Sequence, residues 1–343
     1  MTTITPLIDA DGEFRRPVSS FRDFITQTGQ FTPDKDRYHL YISLAWFVLV
    51  LRFDCSPHLL IADWLYFSSP WAHRTLIVRN LKGLEDVIGL SIVDYHLTKV
   101  GWHFSEPEKT PGTIPDTINN ARFIKEIYYK ANKDFVGRFT VPVLWDKKEQ
   151  TIVNNESSEI IRMLNNEFNA FSDNVKLDLY PTLLRPEIDS INEWIYDQIN
   201  NGVYKTGFAT TQEAYEKNVK VLFDGLDRVE TQFATGNKRY LVGNQFTEAD
   251  VRLFTTIVRF DPIYHGHFKC NIKTISHDYP HILKWLRRIY QHPKVSATVN
   301  WTHIKGGYYG SQLNINPTAI IAAWNGPILD FPIIAEEDGK NLE

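Results

Sequence analysis

The amino-acid sequence predicts two modules of different class, an α/β module over 37–165 followed by an all-α module over 187–316. Three observations lead there. A chain of 343 residues can bury two separate cores. Strand-type and helix-type patterns alternate up to residue 164, and from residue 187 only helix-type patterns recur. Between them, residues 166–186 have no clear period and carry Asn, Asp and Pro, the composition of a linker.

Residues 1–36 are polar and broken by Pro6, Pro17 and Pro33, which makes them an irregular arm. Residues 37–43 (RYHLYIS) alternate with period two and are rich in β-formers, a strand. The stretch Pro70–Leu81 opens with proline, whose fixed φ suits a first helical position, and spaces Leu76, Ile77 and Leu81 along one face. Residues 87–97 contain a second strand, and a long polar loop with Pro107, Pro111 and Pro115 comes next. Residues 141–145 and 150–153 form a hairpin around Asp146-Lys-Lys-Glu149, and a helix begins at residues 156–164. Strand, helix, strand, hairpin, helix is the order of a thioredoxin-like domain. In the second module Thr247-Glu-Ala-Asp250 reads as a capping box, with Phe246 and Val251 as its hydrophobic staple. Residues 317–343, with Pro317, Pro327 and Pro332, form a non-helical tail.

A net charge of −4 and the lack of a dense Lys/Arg run argue against a nucleic-acid partner. Residues 45–67 are apolar but interrupted by Arg52, Asp54, His58 and Asp63, too often for the roughly 20 apolar residues a spanning helix needs. No membrane partner is expected. The first residues contain Asp9, Asp11 and Glu13 and no apolar h-region, unlike a signal peptide. Two cysteines, Cys55 and Cys270, make no disulfide framework and point to a reducing, cytoplasmic address. On that reading the triplets at Asn155 and Asn300 are chance glycosylation-type matches.

Several long ungapped stretches carry a resemblance. They are RYHLYISLA (37–45), PWAHRTLIVR-LKGLE (70–85), VPVLWDKK-TIVNNESSEIIRM (141–163), FTEADVRLFTT-VRFDPIY-GHFKCN (246–271) and HIK-GYY (303–309). In these the chain resembles the glutathionyl-hydroquinone reductases, the Xi-class relatives of glutathione transferases. The resemblance implies the glutathione transferase fold, glutathione as co-substrate, no metal, and a homodimer. It also implies a mechanism. A cysteine at the start of the first helix attacks a glutathionyl-hydroquinone, keeps the glutathionyl group as a mixed disulfide and releases the hydroquinone; a second glutathione then resolves the disulfide. A helix N-terminus suits that cysteine, because its partial positive charge lowers a thiol pKa to roughly 3.5–7.5 and only thiolates attack disulfides.

Carried over by position, the resemblance assigns glutathione binding to Trp102, Arg138, Phe139, Thr140, Val141, Glu156 and Ser157. It implies a cis bond between Val141 and Pro142. It assigns Glu156 to the ligand's ammonium group and Ser157, with the helix start behind it, to a carboxylate. It makes Tyr204 the proton donor or acceptor for the quinol oxygen, with Tyr264 and Tyr308 stabilising charge on sulfur or oxygen.

The chain departs from the family at the nucleophile. Ser43-Leu44-Ala45 and Pro70-Trp71-Ala72-His73-Arg74 are both present, but residues 46–68 separate them and Ser69 stands in the cysteine's place. A cysteine codon TGC, split by an unspliced in-frame intron beginning GT and ending AG, would give Trp46 at one seam and Ser69 at the other. Residues 46–68 are therefore read as translated intron. A serine hydroxyl is not ionised at neutral pH and forms no mixed disulfide, and the inserted residues put the start of the first helix at risk of displacement. The chain as written is expected to lack reductase activity. Two other readings stand beside this one: a glutathione-fold binding or scaffold protein without turnover, and a serine-type glutathione transferase in which Ser69 hydrogen-bonds the glutathione thiolate. Cys55-Ser-Pro-His58 superficially resembles a redox motif and could offer a substitute thiol, but nothing around it matches, and Cys270 reads as packing. His265, His267 and Cys270 have metal-like spacing but lack a fourth ligand. His73 reads as structural rather than as a general base.

Overall fold

A computed structural model describes residues 8–16, 18–44, 48–49, 64–65, 69–96, 98, 100–236, 238–323 and 328–330. The first module is a four-stranded mixed sheet in the order β4-β1-β5-β6. Strand β1 (Tyr38–Ile42) pairs parallel with β4 (Gly89–Ile92) and antiparallel with β5 (Val143–Asp146), which forms a hairpin with β6 (Thr151–Asn154). Every residue of β1 is buried, as expected of a central strand with both faces covered. At the seam, β2 (Val48–Leu49) and β3 (Trp64–Leu65) pair antiparallel in a sheet of their own. The rest of the inserted segment, Cys55 included, lies outside the described residues, as do most of the apolar stretch at 45–67 and the first seven residues.

Helix α1 (Pro70–Leu81) has the bounds the sequence predicts and buries all but one of its residues. It packs on α3 (Ser157–Asn166) and on α7 (Glu248–Ile257) of the second module, so it forms the wall between the two. One helix was not expected: α2 (Ile124–Ala131) closes the polar loop before β5. It is short, lacks a side-chain cap, and buries one face through Ile124, Ile127 and Tyr128, so tertiary packing rather than local signal fixes it.

The second module is helical: α4 (Arg185–Ile195), α5 (Gly202–Gly207), α6 (Gln212–Gly236), α7, α8 (His265–His267), α9 (Ile275–Asp278), α10 (Pro280–Tyr290), α11 (Pro293–Ser296) and α12 (Trp301–Ser311). Two π-helical turns, Tyr196–Asn200 and Phe260–Tyr264, interrupt it. The capping box forms, with the Thr247 amide donating to Asp250 Oδ2 at 3.0 Å, and the staple residues Phe246 and Val251 are buried. The stretch expected as linker carries 3-10 turns at Asn169–Phe171 and Thr182–Leu184, and the expected non-helical tail has one at Ile328–Asp330, against α10.

The N-terminal arm is not idle. The amide of Thr210 donates to the Gly12 carbonyl at 3.2 Å, and Lys217 Nζ pairs with Glu13 at 2.5 Å, tying the arm to the helical module. Further along, Phe21 and Asn155 exchange two hydrogen bonds, and Asp23 donates to the Val153 carbonyl at 3.0 Å, tying the arm to the sheet module. Among the described residues no helix is long and apolar enough to cross a membrane.

Candidate active site

Ser69 caps α1. Its Oγ accepts the Ala72 amide at 2.8 Å, the residue is fully buried, and Pro70 opens the helix. The inserted residues therefore do not displace the helix start; the expected disturbance is absent, because α1 is held by burial on every side rather than by its connection to β1. The next residue but one, Trp71, sits between the arm and the helical module: the Arg16 guanidinium lies 3.7 Å over its ring, and Tyr204 stands at a ring-centroid distance of 5.1 Å, tilted by 40°.

His73, one turn into α1, is locked in one tautomer. The Thr298 hydroxyl donates to the Val295 carbonyl at 2.6 Å, so it accepts from His73 Nε2 at 2.7 Å. His73 Nδ1 is then an acceptor, and Arg259 Nη1 donates to it at 3.0 Å. Burial and the Arg259 charge hold its pKa well below the ordinary value. A neutral, doubly satisfied imidazole fits the structural role expected from the sequence.

The three tyrosines converge. Tyr264 and Tyr308 hydroxyls stand 2.5 Å apart, Tyr204 and Tyr308 2.9 Å, and Tyr204 and Tyr264 3.3 Å, all fully buried. Tyr204 sits on α5 just after one π-helical turn, and Tyr264 ends the other. Such turns frequently mark functional sites, because the extra residue re-aims the side chains of the next helical turn. Burial pushes all three phenols above their usual pKa, against the opposing charge of Arg259. At neutral pH all three are protonated, so the cluster is a set of proton donors rather than a base.

The start of α3 makes the second part of the site. Glu156 caps it, accepting the Ser158 amide at 3.2 Å, the Ser158 hydroxyl at 3.0 Å and the Ser19 hydroxyl at 2.9 Å. Burial opposes its charge, yet Arg16 and these donors hold its carboxyl below the usual value. Ser157 is 1% exposed, and its Oγ has no hydrogen-bond partner among the described residues. Behind this helix start, Asn155 Nδ2 donates to the Tyr128 hydroxyl at 3.0 Å, and that hydroxyl donates to the Thr140 carbonyl at 2.8 Å. Phe139 packs on Tyr128 at 5.5 Å, and the bond from Val141 to Pro142 is cis, as the resemblance implied. Arg74 and Arg252, both buried, also feel the Glu156 charge, Arg252 after that of Glu248.

Contacts thus join Trp71 and the three tyrosines into one cluster, with Arg16 over the Trp71 ring, and Phe139, Tyr128, Thr140 and Asn155 into another, next in sequence to Glu156, whose carboxylate feels the Arg16 charge. Trp102 and Arg138 are buried on the two loops that flank α2, and these contacts do not include them; burial lowers the Arg138 pKa to about 10. Sequence reasoning missed Arg16, Ser19, Tyr128 and Asn155. Only Asn155 carried a signal, its place inside the stretch VNNESSE. Cys270 is fully buried, its Sγ near the Val203 and Phe268 carbonyls, and burial raises its pKa: an inert thiol. His267 is occupied with Gln312 at 2.6 Å, and no group of three metal-type side chains occurs among the described residues.

Comparison with known proteins gives consistent matches. Residues 68–167 match the model of the glutathione S-transferase N-terminal domain, and residues 212–288 that of the C-terminal domain. The chain is similar to Glutathione S-transferase omega-like 2 of Schizosaccharomyces pombe, 49% identical over 95% of this chain and 97% of the relative. It is similar to Glutathionyl-hydroquinone reductase YqjG of Escherichia coli, 46% identical over 94% and 92%. Among solved structures, glutathione-S-transferase Xi from Phanerochaete chrysosporium superposes with a TM-score of 0.83 at 49% identity, covering 94% of this chain and 95% of that one. The glutathione-bound structure of YqjG gives 0.80 at 46% identity, covering 95% and 97%.

Proposed function

The chain belongs to the Xi-class glutathione transferases, the family of the glutathionyl-hydroquinone reductases, and on that premise we propose that it binds glutathione between the starts of α1 and α3. One observation carries the reading: three protonated tyrosine hydroxyls meet within 3.3 Å of one another beside Trp71, at the helix start where the family's reacting sulfur belongs.

In this reading Glu156 takes the ligand's ammonium group and Ser157, with the N-terminus of α3, a carboxylate. Trp102, Arg138, Phe139, Thr140 and Val141 line the rest of the tripeptide's path. Tyr204 exchanges a proton with the quinol oxygen, while Tyr264 and Tyr308 support charge next to it. The family reaction transfers a glutathionyl group from the hydroquinone to a cysteine, and then to a second glutathione as the disulfide. Ser69 cannot accept it. Its hydroxyl is un-ionised and forms no sulfur–sulfur bond. The chain as written keeps a cradle and a proton-donor cluster but lacks the first chemical step. Incubating the purified 343-residue protein with a glutathionyl-hydroquinone and glutathione should yield no oxidised glutathione above the uncatalysed rate; turnover would overturn the reading.

A second reading draws on the Ser69 geometry. Its oxygen accepts from Ala72, which leaves the hydroxyl proton as a donor toward a ligand sulfur. A serine-type transferase would conjugate chloro-dinitrobenzene with glutathione, and that assay separates the two. We further propose that the protein works as a homodimer in the cytoplasm, which sedimentation and cell fractionation test.

A further inference from the structure

We propose that Arg16 of the N-terminal arm binds the α-carboxylate of the γ-glutamyl end of glutathione; the inference rests on the glutathione site proposed above. The head group of that ligand is a zwitterion, so its site needs an acceptor for the ammonium and a donor for the carboxylate side by side. Glu156 supplies the acceptor. Alone at the start of α3 it would repel the carboxylate that the helix N-terminus attracts. A cation must offset it.

Arg16 is placed to do so. Its guanidinium lies 3.7 Å over the Trp71 ring, and three residues further on the Ser19 hydroxyl donates to Glu156 Oε2 at 2.9 Å. The arm therefore passes from the start of α1 to the start of α3 within a few residues, with Arg16 between them. The same charge holds the Glu156 carboxyl down, which shows that the two side chains share one field. A second observation points to a ligand: the Ser157 hydroxyl, 1% exposed at the same helix start, has no hydrogen-bond partner among the described residues. A guanidinium is planar and carries its N–H groups in that plane, where one carboxylate takes two of them, and lysine cannot copy that fork.

The alternative is that Arg16 only pins the arm to Trp71. Calorimetric titration of the purified chain with three ligands separates the two. They are glutathione, 4-aminobutyryl-cysteinylglycine, which lacks the α-carboxylate, and glutaryl-cysteinylglycine, which lacks the ammonium. Arg16→Ala should weaken glutathione and glutaryl-cysteinylglycine by about tenfold and leave 4-aminobutyryl-cysteinylglycine unchanged. Arg16→Lys should recover only part of that loss. Equal weakening of all three ligands, or of none, overturns the role and leaves Arg16 a pin. Glu156→Gln is the converse control, weakening glutathione but not glutaryl-cysteinylglycine. If the unaltered chain fails to bind glutathione, both this inference and the site reading fall; if it binds and only the Arg16 pattern is missing, the site reading survives alone.

Discussion

Ser69 opens α1 and Ser157 opens α3, both buried at helix starts of the same module. Ser69 spends its oxygen locally, accepting the Ala72 amide as an N-cap. The Ser157 hydroxyl makes no such bond. In physical terms the first is satisfied by the fold and the second waits for something outside it. The difference teaches that a hydroxyl at a helix start can serve the fold without serving disulfide exchange, because capping needs only a lone pair and exchange needs a thiolate. Binding and reaction are then separable properties of the two helix starts, and each can be tested against the other.

The largest effect should come from repairing the first helix start. Deleting residues 46–68 together with Ser69→Cys should raise glutathionyl-hydroquinone reduction, followed as oxidised glutathione, by at least about a thousandfold over the unaltered chain. In that repaired chain, Tyr204→Phe should lower turnover by about a hundredfold with little change in KM, since it removes a proton donor and no binding contact; a KM effect alone would move Tyr204 to the binding side of the comparison. Ser157→Ala in the unaltered chain should weaken glutathione by several-fold and barely change the urea midpoint, whereas Ser69→Ala should do the reverse, costing about 1 kcal/mol of stability through the lost cap. If both variants behave alike, the contrast between the two serines is wrong.

The smallest expected effect is on pH. The raised pKa values of Tyr204, Tyr264 and Tyr308 mean that the folded state resists their ionisation. Their contribution to stability is therefore full below the unfolded phenol value of about 10 and is lost as pH rises through the folded values. Ultraviolet titration near the tyrosinate band should place these three among the buried phenols, with Tyr38, Tyr41 and Tyr279, that ionise only on alkaline unfolding, and Tyr204→Phe should remove one of them and blunt the alkaline fall in stability.

Local signals in the sequence were sufficient where the chain signals its own geometry. Pro70 fixed the first turn of α1, and Thr247 with Asp250 fixed the start of α7. Helix α2 was invisible because eight residues with one buried face carry too little pattern. Tyr204, Tyr264 and Tyr308 could be grouped only through family resemblance; no local periodicity links residues so far apart. Arg16 could not be found at all from local pattern, since the arm acquires its conformation from partners such as Asn155 that lie more than a hundred positions away. A resemblance restricted to ungapped stretches after residue 36 left that arm out.

The arm's anchors have a consequence for biosynthesis. Gly12 and Glu13 hold to Thr210 and Lys217, and Phe21 holds to Asn155. Ribosomes make the arm before these partners, and the last of them emerges only after about two hundred further codons have been read. The arm must therefore wait unpartnered while the sheet module and the start of the helical module are made, so it is among the last segments to find its seat.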